Sequence, residues 1–87
     1  MRKICYYNNK NIISEKLKIL REKKGISQSN LAAKLQTMNV NIDQQMISKI
    51  EQNKRQVTDY ELACISKCLC ITVEELLDLS KLEFTNN

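Results

Sequence analysis

The chain contains no proline, tryptophan or histidine and only one glycine in 87 residues. An all-β fold with many tight turns is disfavoured, because such turns rely on proline and glycine. Without histidine the commonest general base is missing. No glycine-rich phosphate loop occurs, and no Ser or Cys is paired with an evident base. Neither an enzyme nor a cofactor is therefore expected. One Phe and three Tyr are too few to stack the bases of a single strand. No run of about 18 apolar residues exists, so no membrane span or membrane partner is expected. Residues Met1 to Tyr7 start basic but lack a signal-peptide hydrophobic region, so the expected location is the cytoplasm.

Cysteine is present at Cys5, Cys64, Cys68 and Cys70. Cys64 and Cys68 are one helical turn apart, which makes a zinc site with Cys5 conceivable. The spacing matches no familiar zinc motif, and no histidine assists it. Buried, reduced thiols are the favoured reading, with no metal bound.

What remains is 43% apolar and 28% charged, the balance of a single globular domain with one modest core. Abundant Leu, Ile, Lys, Glu and Gln favour helices. The net charge of +4 is unevenly spread. Residues 1–55 carry 12 Lys or Arg against 4 acidic residues, and residues 56–87 carry 2 against 6. A basic half of this kind suits a phosphate-bearing partner, although charge runs also simply solvate surfaces.

Along the chain, Ile4 to Tyr7 has some β character that Asn8, Asn9 and Asn11 interrupt. Residues 1–11 are read as an N-terminal arm, either a basic extension or a short strand that pairs elsewhere. Ile13, Leu17 and Leu20 form the apolar stripe of a first helix over about 12–24, and Gly25 suits its left-handed end. Ser27 caps a second helix from Gln28 to about Gln36 or Met38, with Leu31, Ala32 and Leu35 facing inward. Asp43 caps a third helix at about 43–52, in which Ile47 and Ile50 face inward and Gln44, Gln45, Ser48 and Lys49 face outward. Gln can bond adenine through two atoms, and Lys can reach guanine or a phosphate, so this face suits a groove lined with base edges. The same residues also occupy ordinary solvated helices, and the flanking sequence decides between the two. Thr58 with Glu61, and Thr72 with Glu75, form capping boxes for a fourth helix to about Leu69 and a short fifth through Leu76, Leu77 and Leu79. The helical domain spans 12–80, and residues 81–87 form a C-terminal tail.

Four stretches in this order resemble the lambda-repressor/Cro-like (Xre) helix-turn-helix family. They are Leu17 to Gln28 (LKILREKKGISQ), Leu31 to Leu35 (LAAKL), Ile47 to Glu51 (ISKIE) and Leu69 to Leu77 (LCITVEELL). The resemblance covers about residues 12–79 and implies an all-α fold of five helices. It implies base reading by Gln44, Gln45, Ser48 and Lys49. It implies DNA-phosphate contacts at Ser27, Gln28, Met46, Asn53, Lys54 and Arg55, and a structural salt bridge between Arg21 and Glu51. Three departures stand out. About five extra residues enlarge the turn between the second and third helices, Cys70 stands where the family usually has Gly, and Asn53 replaces another common Gly.

The resemblance implies a sequence-specific double-stranded DNA-binding transcriptional regulator, a repressor acting as a homodimer on an inverted repeat. Leu77, Leu79, Leu82 and Phe84 are the candidate dimer contacts. A second reading is an interaction module, antitoxin-like, that keeps the fold and binds a protein partner through the acidic C-terminal half.

Overall fold

The computed structural model describes residues 2–5 and 8–86, with side chains described from Asn8 to Leu82. A first strand, β1 (Arg2–Cys5), precedes α1 (Ser14–Lys23), α2 (Gln28–Thr37), α3 (Gln44–Glu51), α4 (Asp59–Leu69) and α5 (Val73–Leu76). A single 3₁₀ turn (Leu79–Lys81) and a last strand, β2 (Glu83–Asn86), complete the order. The fold is the expected five-helix one, with a terminal ribbon added. Within that ribbon β1 and β2 run antiparallel, with Lys3 opposite Thr85 and Ile4 opposite Phe84. Within the arm Arg2–Cys5 is a strand, and Glu83–Asn86 of the tail is its partner.

Helix starts follow the side chains that can replace missing intrahelical partners. Ser27 accepts the Asn30 amide, Asp43 accepts the Met46 amide, and Thr58 and Thr72 form full capping boxes with Glu61 and Glu75. The first helix starts later than its apolar stripe suggested. Asn11 Oδ1 accepts the Ile13 amide at 3.0 Å, and the Ile12 carbonyl accepts the Asp78 amide at 2.8 Å, so these residues are tied into other contacts. The fifth helix stops at Leu76 rather than continuing through Leu79. Leu77 is extended (φ −74°, ψ 134°), and Asp78 caps the separate 3₁₀ turn by accepting the Ser80 amide.

Four helix ends use one device, in which a residue at positive φ reverses the chain, and its own amide and the next one donate back to carbonyls of the last turn. Gly25 (φ 68°), Asn39 (60°), Asn53 (59°) and Cys70 (55°) occupy that position. At the end of α2, Asn39 donates to Gln36 O and Val40 donates to Leu35 O, both at 3.0 Å. The enlarged turn is therefore ordered. Val40 and Ile42 are both buried, so the added residues contribute to the core instead of looping into solvent.

That core lies between the helices. Leu17, Leu31, Leu35, Ile42, Ile47, Ile50, Ile65, Leu69 and Leu76 are fully buried, and each contributes on the order of 1.5–3 kcal/mol relative to exposure. Leu62 is half-buried at the edge of this cluster. α2 packs on both α3 and α4, α1 packs on α3 and α5, and α4 packs on α5. Through Ile47 and Ile50, α3 is held by one face, leaving its opposite face outside.

Candidate nucleic-acid interface

The outer face of α3 is set by its helical period. With Ile47 and Ile50 pointing into the core, Gln44, Gln45 and Lys49 are exposed and Ser48 is half-exposed. Gln45 and Lys49 lie one turn apart, as do Gln44 and Ser48. Ser48 Oγ accepts a bond from Gln52 Nε2 at 2.9 Å, which fixes the hydroxyl at the C-terminal end of this face. Met46 is half-buried, and its amide is the one that Asp43 caps at 2.8 Å. The face offers donors and acceptors without an apolar surface.

The far end of α3 is anchored by Glu51. Arg21 Nε donates to Glu51 Oε2 at 2.7 Å and Arg21 Nη2 to Oε1 at 3.0 Å, a two-pronged pair that is almost wholly buried. Gln28 Nε2 donates to the same Oε1 at 3.0 Å, and Arg21 Nη1 donates to the Ile26 carbonyl at 2.8 Å. One carboxylate thereby ties α1, the start of α2 and the end of α3 together. The bond to Glu51 raises the Arg21 guanidinium further above its already high pKa. Ser27 and Gln28 sit at the start of α2, with the Ser27 hydroxyl accepting the Asn30 amide at 3.0 Å. Lys23, the last residue of α1, and Lys24, which caps its C-terminal end, are both exposed.

The loop after α3 carries the remaining candidates, and their side chains have different partners. Lys54 is exposed and belongs to none of the three ion pairs among the described residues. Arg55 donates two bonds to Glu61, Nη1 to Oε1 at 3.0 Å and Nη2 to Oε2 at 2.9 Å. Arg55 holds the Glu61 carboxyl below the usual glutamate range, and Glu61 in turn raises the Arg55 guanidinium. Asn53 Oδ1 accepts from the Lys10 amide at 2.8 Å and the Asn11 amide at 3.2 Å, while Asn53 Nδ2 donates to Asn9 Oδ1. Asn11 Nδ2 donates to the Ile50 and Arg55 carbonyls at 3.0 and 2.9 Å. Residues 9–11 thus lie directly against the loop. Contacts 39 to 44 residues apart in sequence leave no periodic signal, and the asparagine cluster is the one hint of them in the chain.

Leu79 is 66% exposed, whereas Leu77 and Leu82 are half-buried and line a cavity of about 240 Å³ with Val57 and Leu62. The Phe84 side chain lies outside the described residues. Among the cysteines, Cys64 is buried, Cys68 half-buried and Cys70 exposed, all three free. Cys68 Sγ approaches Met38 Sδ at 3.4 Å, and burial pushes its thiol up. The Cys5 side chain lies outside the described residues. No helix among the described residues is long and apolar enough to cross a membrane.

The sequence profile of a family described as helix-turn-helix matches residues 17–76. No curated protein matches the chain. Among solved structures, the restriction-modification controller protein C.AhdI from Aeromonas hydrophila is similar at 26% identity and a TM-score of 0.67, over 75% of this chain and 87% of that one. The DNA-binding domain of BldD is similar at 22% identity and a TM-score of 0.67, over 85% and 99% respectively. A hypothetical transcription factor from Neisseria, NHTF, is similar at 18% identity and a TM-score of 0.69, over 85% and 79%. At these identities the last two establish the fold alone.

Proposed function

This chain belongs to the lambda-repressor-like (Xre) helix-turn-helix family of DNA-binding transcription regulators, and on that premise we propose that it is a repressor that reads an inverted-repeat operator as a homodimer. The observation that carries this reading is the two-sided nature of α3. Its inner face is locked by Ile47, Ile50 and the buried Glu51 carboxylate, while its outer face presents Gln44, Gln45, Ser48 and Lys49. A rigid helix with an outward polar face is what reading base edges in a major groove requires.

In this reading Gln44 and Gln45 meet base edges first, and Lys49 and Ser48 follow one turn later. The amides at the start of α2, with Ser27 and Gln28, receive a backbone phosphate, as helix N-termini do. Met46 lines the phosphate side of α3. The loop supplies Lys54 directly. Arg55 acts by shaping the loop through Glu61, and Asn53 acts through its backbone, because its side chain is engaged by residues 9–11. The basic first half of the chain strengthens attraction to the duplex. Two copies would place their α3 helices in successive major grooves, about 34 Å apart. The second subunit would contact the region of Leu77, Leu79, Leu82 and Phe84. A bound dimer would then exclude polymerase from an overlapping promoter.

The test is selection of bound duplexes from a random pool by the purified chain at about 0.15 M salt. Convergence on an inverted repeat is expected. Convergence on a single half-site would keep DNA reading and remove the dimer. A pool that shows no enrichment would overturn the reading and favour a partner-binding role for the C-terminal region.

A further inference from the structure

We infer that Lys10, in the segment before α1, is a DNA-phosphate contact, and that Asn53 positions it. This inference rests on the DNA-binding reading above and extends its phosphate surface to a segment outside the matched residues 17–76.

The loop after α3 carries two adjacent cations in the sequence, Lys54 and Arg55. Arg55 is a cation there by sequence, but both of its terminal nitrogens are used by Glu61. Paired in this way, it adds little net field toward a phosphate. Lys54 alone would then serve the loop. Lys10 supplies a second cation at the same place. Its amide is bonded to Asn53 Oδ1 at 2.8 Å, so its backbone lies beside Asn53, next in sequence to Lys54. Its side chain is exposed and takes part in none of the three ion pairs among the described residues.

The placement is rigid for a surface segment. Asn53 Oδ1 accepts two consecutive amides, those of Lys10 and Asn11, and Asn53 Nδ2 reaches Asn9. Buried Asn11 then clasps both sides of the loop through the Ile50 and Arg55 carbonyls. A lysine anchored on a fixed backbone loses less freedom on meeting a phosphate than one on a loose arm. Asn53 can hold this position because Asn tolerates the φ of 59° that ends α3.

The experiment measures affinity for the selected operator and for an unrelated duplex across 0.05–0.2 M salt. It compares the full chain with Lys10→Ala, Lys10→Arg and Asn53→Gly. Glycine keeps the left-handed backbone of residue 53 and removes only the side chain. Lys10→Ala should weaken both duplexes by the same factor and reduce the log–log salt slope by about 0.9, the value of one phosphate contact. Over that salt range the difference amounts to roughly a fourfold smaller loss of affinity than the parent shows. Lys10→Arg should restore the slope. Asn53→Gly should lower the slope when Lys10 is present and leave it unchanged when residue 10 is Ala. An unaltered slope in Lys10→Ala, with the parent still binding its operator, overturns the contact. Equal effects of Asn53→Gly in both backgrounds overturn the positioning. If the parent chain binds no duplex, the failure lies with the DNA-binding reading itself.

Discussion

Arg21 and Glu51 face each other across the junction of α1 and α3 with two bonds of 2.7 and 3.0 Å, and their side chains are only 9% and 4% exposed. Removing one partner would leave the other charge buried without its complement, which costs about 3–5 kcal/mol. Arg21→Met and Glu51→Leu should each destabilise the fold by that amount. Combined, they should cost much less than the sum, because no lone charge remains. Urea unfolding of the four proteins gives the comparison. Single variants within 1 kcal/mol of the parent would show that the pair does not anchor α3.

Base reading and phosphate binding should separate by mutation. Gln45→Ala is expected to cost about 1–3 kcal/mol at the selected operator and to relax preference at one base pair. Lys54→Ala should weaken all duplexes alike and flatten their salt dependence. Binding titrations on operator variants and an unrelated duplex make the distinction. Equal loss on every sequence from Gln45→Ala would remove its assignment to a base.

Cys70 holds a left-handed backbone at φ 55° that glycine adopts without a Cβ penalty. Cys70→Gly should therefore stabilise the chain by about 1 kcal/mol, a net of relieved strain over added unfolded-chain entropy. In a domain of this size the melting temperature should rise by roughly 4–8 °C. A thermal melt that moves downward would mean that the exposed thiol side chain makes a contact worth more than the strain.

The pair Arg55–Glu61 predicts a pH dependence with a definite sign. The Arg55 guanidinium, bonded to the Glu61 carboxylate, lowers its folded-state pKa below the ordinary glutamate value. The unfolded chain then takes up this proton first as pH falls. The resulting stability is present above about pH 4.3, the unfolded value, and is lost as pH drops through the lower folded value. Glu61→Gln should flatten that part of the stability profile, as read by denaturant unfolding at a series of acidic pH values. A profile with unchanged slope would show that other carboxylates carry the acid transition.

Most of the helical framework can be read from the chain because it depends on local relationships. Ser27, Asp43, Thr58 and Thr72 each cap a helix by accepting the amide three residues on, so each start is visible as a short pattern. Ile47 and Ile50, three residues apart, fix which face of α3 turns outward and therefore which residues can meet a partner. Gly25 marks a helix end by composition, whereas Asn53 and Cys70 are marked by the family resemblance, which has glycine at both positions. Asn39 uses the same device, yet it is hidden in a polar stretch whose only added signal is the buried Val40 that follows.

Tertiary structure decided the partners of the polar side chains. Arg55 and Lys54 are adjacent cations in the sequence, but only the approach of Glu61 across the turn engages Arg55 and leaves Lys54 outside an ion pair. Asn11 and Asn53 are 42 residues apart, and the pairing of β1 with β2 joins segments near opposite ends of the chain. Periodicity and capping report contacts within a few residues of each other. Long-range hydrogen bonds depend on where the packed core brings distant backbones together, and no local pattern encodes that distance.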